Sequence, residues 1–138
     1  MLKKIVLLSI ILCSCSSKPE IIRKPIESES YKGTIAVLNF KNNTPYEDWD
    51  YMESGIADIL SANLANQPGI EIVERENLKK VIDELKLSLT GLITETTAAK
   101  IGKLAGAHVI VMGSFTLLGD TIVISARLVK VETGEIYG

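Results

Sequence analysis

The sequence predicts a single-domain α/β fold over residues 33–138 of a 138-residue chain: a sandwich of helices on a mixed sheet, in the order β-α-β-α-α-β-β-β. Three observations lead to it. Short apolar runs rich in β-branched residues stand at residues 34–40, 70–74 and 108–116. Segments with the apolar spacing of helices lie between them. Beyond the tight connection Leu118-Gly119-Asp120, the closing stretch alternates along its length, as a half-buried strand does. Helices interleaved with strands in this way describe helices packed on one sheet.

In chain order, TIAVLNF (34–40) reads as a buried first strand that ends at the turn-rich KNNTP. The first helix is expected to start near Asp50, with Met52, Ile56, Ile59, Leu60 and Leu64 on one face, and to stop before Pro68-Gly69. Asp50 and Glu53 have the spacing of a capping box. IEIVE (70–74) alternates as a second strand. Leu78, Val81, Ile82 and Leu85 then form a helical stripe, while Lys79, Lys80, Asp83 and Glu84 face away. A third helix begins at Thr94, turns Ala98, Ile101 and Leu104 inward, and ends at Gly106. HVIVMGSFT is a buried strand. In TIVISARLVKVE, Ile122, Ile124, Ala126 and Leu128 share one face and Val123, Ser125, Arg127 and Val129 the other. Thr133-Gly134 turns the chain into EIY, completing an antiparallel meander.

The first residues have another purpose. Lys3 and Lys4 precede an apolar block, Ile5 to Leu12, of about eight residues. Those are the proportions of a secretory signal, where a helix crossing a bilayer needs about 20 residues. Leu12-Cys13-Ser14-Cys15 resembles the lipobox of bacterial lipoproteins, with the small Ser14 before the modified cysteine. The resemblance implies a signal peptide over 1–14, a diacylglycerol thioether on Cys15, cleavage before it and acylation of the new amine. A Cys13–Cys15 bridge is disfavoured by disulfide geometry, and a metal pair lacks a second pair. Several acyl chains would hold the protein firmly on a membrane. Ser16 fits the pattern that sorts such proteins to the periplasmic face of the outer membrane. Residues 15–32 comprise the lipidated cysteine and a flexible tether rich in Ser, Glu, Lys and Pro. Its roughly 17 residues reach at most about 55 Å.

The formal charge is 15 − 17 = −2, and it becomes 13 − 17 = −4 without Lys3 and Lys4. No cationic field exists to draw nucleic acid, which is excluded as a partner. His108, at the start of an apolar strand, has no ligand-spaced companion and reads as structural. The glycines at 102, 106, 113 and 119 make neither a dinucleotide fingerprint nor a phosphate loop. Glu47, Asp48, Asp50 and Glu53 surround Trp49, either as an acid/base or cation site or as capping charges at a helix start. Glu74, Arg75 and Glu76 read as the polar opening of the second helix. No nucleophile with a supporting histidine is recognisable in the mature domain. The expectation is a protein that is not an enzyme and that uses neither cofactor nor metal.

With the lipobox cysteine, the segments IAVLNFKNNT, IVERENLKKVIDELKL, AGAHVIVMGSFT and ISARLVKVETGEIYG resemble the periplasmic domain of CsgG-type lipoproteins of curli secretion. Activators of the LpoB type, which act on peptidoglycan synthases, share the second half of the pattern. The most specific pieces are Val73-Glu74-Arg75 with Leu78 and Glu84, and the closing Leu128-Val129 to Ile136. The resemblance implies a lipid-anchored, non-enzymatic envelope protein that binds other envelope proteins, with a homo-oligomer as a further option. In that family two β-hairpins per subunit build a pore. Here a tight turn occupies the place of the first, and the sequence reaches Gly138 before the place of the second. The family's constriction loop, Tyr-x-x-x-Asn-Phe, falls on Tyr46, Asp50 and Tyr51, with Asp and Tyr replacing Asn and Phe. Tyr46, Trp49, Asp50 and Tyr51 are accordingly candidate partner contacts, since aromatic anchors carry much of an interface's energy. The alternative for the aromatic residues is packing of the loop onto the helix.

Overall fold

The computed structural model describes residues 31–85, 93–136 and 138. The expected signal peptide, Cys15 and the tether up to residue 30 lie outside the described residues. Five strands and three helices follow one another as β1 (Gly33–Val37), β2 (Lys41–Asn42), α1 (Tyr51–Ala65), β3 (Ile70–Ile72), α2 (Arg75–Glu84), α3 (Glu95–Ala105), β4 (Val109–Leu118) and β5 (Thr121–Lys130). A 3₁₀ turn, Glu47–Trp49, leads into α1. Among the described residues, no helix is long and apolar enough to cross a membrane.

The sheet is mixed, as expected. β1 lies parallel to β3 on one side and to β4 on the other, β2 continues beside β4 in the same direction, and β5 returns antiparallel to β4. Alternation along the strands sends side chains to two helical layers. Ile35, Val37, Val109, Val111 and Phe115 face α1, where Met52, Ile56, Leu60 and Leu64 pack against them. Ala36, Leu38, Ile110, Met112 and Val129 face α2 and α3, meeting Leu78, Ile82, Ala98 and Ile101.

The first apolar run departs from the expectation of one unbroken strand. Val37 pairs with Val111 and Lys41 with Ser114, four steps on one strand against three on the other. The extra residue is a bulge, and it resets the alternation. Val37 and Phe40 therefore share the α1 face although they are three residues apart. The Phe40 N–H turns away from the sheet to the Glu53 carbonyl oxygen at 3.0 Å. The Phe40 ring covers Gly113 of β4, where an added Cβ would overlap that ring and the Ser125 carbonyl oxygen. Only glycine lets the ring come so close.

Other boundaries also shift. The second strand ends at Ile72, because Val73 N–H closes the ladder on the Ile35 carbonyl oxygen and Glu74 already caps α2. Ile59 of α1 and Leu104 of α3, expected to be buried, are exposed. Each lies roughly a quarter-turn from the middle of its buried stripe, and Ala57 and Ala105 take the inward places. Thr94 caps α3 by accepting from the Thr97 N–H at 3.3 Å, and left-handed Gly106 ends it, both as expected. The last expected strand is reduced to one bridge between Ile136 and Val129.

Candidate partner-binding surface

The polypeptide from Asn42 to Glu53 forms a closed turn at the carboxyl end of β1, built on one amide side chain. Asn42 Oδ1 accepts from the Thr44 N–H at 2.9 Å and from its hydroxyl at 2.7 Å. This is an Asx turn, the local bond that makes asparagine a turn former. Asn42 Nδ2 donates to the Tyr46 carbonyl oxygen at 2.9 Å and to Asp50 Oδ1 at 2.7 Å. The Asn42 N–H donates to Glu53 Oε1 at 2.9 Å. Two of the acids that read as capping charges are thus held by Asn42.

The capping box does not form. Asp50 ends the 3₁₀ turn with helical backbone angles, φ −60° and ψ −26°, and makes no side-chain cap. An N-cap needs an extended backbone so that its side chain can fold back over the first turn, which Asp50 lacks. Its carboxylate points to Asn42 instead. Among the described residues, no group of three or more His, Cys, Asp or Glu side chains is arranged to hold a metal ion.

Of the four candidate contacts, three are joined in this turn. The Tyr46 and Trp49 rings lie 5.1 Å apart at a tilt of 39°, a favourable offset arrangement. Trp49 is half-buried and packs on the α1-side core, so the loop-packing alternative describes it in part. Tyr51 stands apart as the first residue of α1, with 73% of its surface exposed. The mouth of α1 thus presents an aromatic pair on a fixed turn, a free tyrosine beside it, and carboxylates at Glu47, Asp48 and Asp50 around the rim.

Two residues outside that set shape the same end of the sheet. Arg75 opens α2, yet its guanidinium crosses to β1, where Nη1 donates to the Val37 carbonyl oxygen at 2.7 Å and Nη2 to Asn39 Oδ1. Its Nε pairs with Asp58 Oδ1 of α1 at 3.1 Å. Because β3 has already turned into α2, no strand N–H can reach Val37, and the planar arginine fork takes that place. Arg75 therefore fastens β1, α1 and α2 together, a role hidden in a motif that read as a helix opening. His108 is structural, as expected, with Nδ1 accepting from the Thr34 N–H at 3.1 Å.

The opposite end of the sheet holds a wide surface cleft of about 1360 Å³. Lys103 and Lys130 line it together with Glu132 and Glu135, so its charges are mixed. His108 also lines it, and its Nδ1 is committed to Thr34. The aromatic turn, by contrast, is fixed by the bonds of Asn42 to Tyr46 and Asp50.

The scaffold is a three-layer α/β domain that carries an aromatic pair on the turn before α1. The family follows from the sequence itself: residues 20–123 match "Curli production assembly/transport component CsgG", and the chain belongs to that family. Three of the solved structures that share the fold illustrate it. The LpoB C-terminal domain from Salmonella enterica superposes with a TM-score of 0.64 at 22% identity, covering 78% of this chain and 80% of that one. Escherichia coli LpoB, determined by NMR, gives 0.64 at 24%, and the match spans 76% of this chain and 52% of that protein. Lipoprotein GNA1162 from Neisseria meningitidis gives 0.62 at 17%, covering 76% and 74%. No curated protein matches the sequence significantly. The chain thus belongs to a cell-envelope lipoprotein family concerned with assembly and transport.

Proposed function

We propose that this protein is a lipid-anchored adaptor of the outer membrane that faces the periplasm and docks other envelope proteins, as an accessory of CsgG-like assembly or secretion. Membership of the curli assembly/transport family over residues 20–123 carries this reading. The domain reaches its partner on the tether of residues 16–32, held by acyl chains on Cys15. Tyr51 supplies a free aromatic anchor, Tyr46 and Trp49 a preformed apolar platform, and Asp50 an acceptor whose position Asn42 fixes. Holding these groups in place before binding lowers the ordering cost of association. The short turn at Gly119-Asp120 leaves no room for a pore hairpin in that connection, which favours an accessory over a channel subunit.

A second reading, docking onto a peptidoglycan synthase in the LpoB manner, is supported by the shared fold at a TM-score of 0.64. A tether reaching about 55 Å makes crossing to the inner membrane harder. Affinity purification of the full chain from native envelopes separates the two. Secretion or assembly components are expected to co-purify, with recovery lost in Tyr51→Ala and Trp49→Ala. A transpeptidase recovered alone supports the second reading. Unchanged recovery by both variants removes the aromatic turn from docking. Intact-mass measurement is expected to find Cys15 triacylated, and Cys15→Ser to release the protein from membranes; a bare thiol contradicts the anchor.

A further inference from the structure

The wide cleft at the amino end of the sheet is also where the chain enters the domain. Tyr31, the first described residue, lines it, and β1 begins two residues later at Gly33. Its apolar lining comes from Ala107 and Val109 at the start of β4, from Val131 just beyond β5, and from Ile136, which is 48% exposed. Glu95 on its wall is held by Arg127, and Glu132 meets Lys130 only at 3.7 Å. Among the described residues, Glu135 and Lys103 have no ion-pair partner. The backbone after Ile136 runs away from the cleft, since Glu135 lies beside Lys130 and Gly138 beside Leu128, farther along β5.

The sequence just before Tyr31 suits this lining. Residues 21–26 read Ile-Ile-Arg-Lys-Pro-Ile, which places three isoleucines and two cations in a stretch otherwise made of Ser, Glu, Lys and Pro. A spacer that only sets distance is built from polar residues and gains nothing from isoleucine, whose side chain favours an apolar surface. Ile26 stands five residues before Tyr31, at most about 17 Å of extended chain, and Ile22 nine residues before it, at most about 30 Å. Both can reach the cleft. Pro25 favours an extended backbone at Lys24, the form that lies along a cleft rather than coiling beside it.

We propose that residues 21–26 of this chain's own tether occupy the cleft, with Ile22 and Ile26 against Val131 and Ile136, and Arg23 and Lys24 beside Glu132 and Glu135; this rests on the anchored tether of the proposed function. Because segment and cleft belong to one chain, their effective concentration is on the order of millimolar, and a weak contact is enough to fill the site. Filling it leaves residues 16–20 between Cys15 and the domain, a reach of about 17 Å where the whole tether gives about 55 Å. The tether thus sets two distances from the membrane, a short one with the cleft filled and a long one with it empty. The device is separate from what docks at Tyr51, at the other end of the sheet.

Disulfide trapping in the purified, detergent-solubilised full chain tests it, with Cys13→Ser in every variant and Cys15 retained. Ile26→Cys combined with Ile136→Cys is expected to close an intramolecular disulfide under mild oxidation, read by intact mass and by a non-reducing gel. Ile26→Cys combined with Gln67→Cys is expected to close severalfold less. Gln67 is exposed near Gly69, which meets Tyr31 and Lys32, so it lies within the same reach but outside the cleft. Adding Glu132→Lys and Glu135→Lys should lower the yield of the first pair severalfold. Trypsin reads the unaltered tether, because Arg23 is its one good site between residues 16 and 31, Lys18 and Lys24 each preceding a proline. Cutting there follows the undocked population and should run severalfold faster in Ile136→Glu than in the native chain. The same masses report whether Cys15 is acylated, so a missing anchor is told apart from an empty cleft. The proposal is overturned if Ile26→Cys links to Gln67→Cys as readily as to Ile136→Cys, if it links only between molecules, or if Arg23 is cut equally fast in the native chain and in Ile136→Glu.

Discussion

On one side the sheet ends in β3, three residues with the exposed Glu71 at their centre. On the other it ends in β5, ten residues whose first half carries isoleucine and valine to solvent. β3 is guarded by brevity and charge, and its neighbour β1 is finished by Arg75, which supplies to Val37 the donor that a longer β3 would have offered. β5 has neither device over residues 121–126. The side chains of β5 over residues 122–124 are exposed, so the two outer strands differ in how much their side chains contribute to the core.

The largest effect is expected in β4, which lies between these two sides. Phe115 is 1% exposed, whereas its cross-strand partner Ile124, on the same face, is 52% exposed. Phe115→Ala should lower the unfolding free energy by about 3–5 kcal/mol in urea denaturation. A loss under 1 kcal/mol would mean that the α1-side core does not depend on this ring. Gly113→Ala should cost about 1–3 kcal/mol, since the new methyl meets backbone as well as the Phe40 ring.

Arg75→Ala tests the closed edge. It leaves the Val37 carbonyl without its donor and separates α2 from β1, for an expected loss of about 1.5–3 kcal/mol by the same measurement. Arg75→Lys should recover only part of it, because an ammonium cannot reproduce the fork. The ion pair with Asp58 is largely exposed, so Asp58→Ala alone should change stability by less than about 1 kcal/mol. The smallest effect belongs to β5. Ile124→Ser should shift monomer stability by no more than about 0.5 kcal/mol, a surface value, in contrast to its partner across the ladder.

That contrast also marks how far the sequence could be read. The mixed sheet, the three helices, the turn at Gly119-Asp120 and the split of β5 into two faces follow from spacing and from local turn and cap chemistry. Which face is covered does not, because Phe115 and Ile124 belong to equally regular apolar patterns and differ only in what packs over them. Phe40 read as the end of one strand because a bulge leaves composition untouched and shows only in pairing register. Arg75 and Asn42 escaped notice as structural hubs because their partners lie in the folded structure: Arg75 reaches 38 residues back to Val37, and Asn42 crosses a turn to Asp50 and Glu53. The aromatic cluster was visible as composition, but the separation of a half-buried Trp49 from a free Tyr51 was not.

Photo-cross-linking in living cells from position 51 tests the docking role most directly. A photoreactive phenylalanine analogue replacing Tyr51 is expected to form a discrete adduct with an envelope protein in the membrane fraction. The same analogue at Lys80, exposed on α2 across the sheet, is expected to form none. Equal adducts from both positions, or none from position 51, would contradict a docking surface at the mouth of α1.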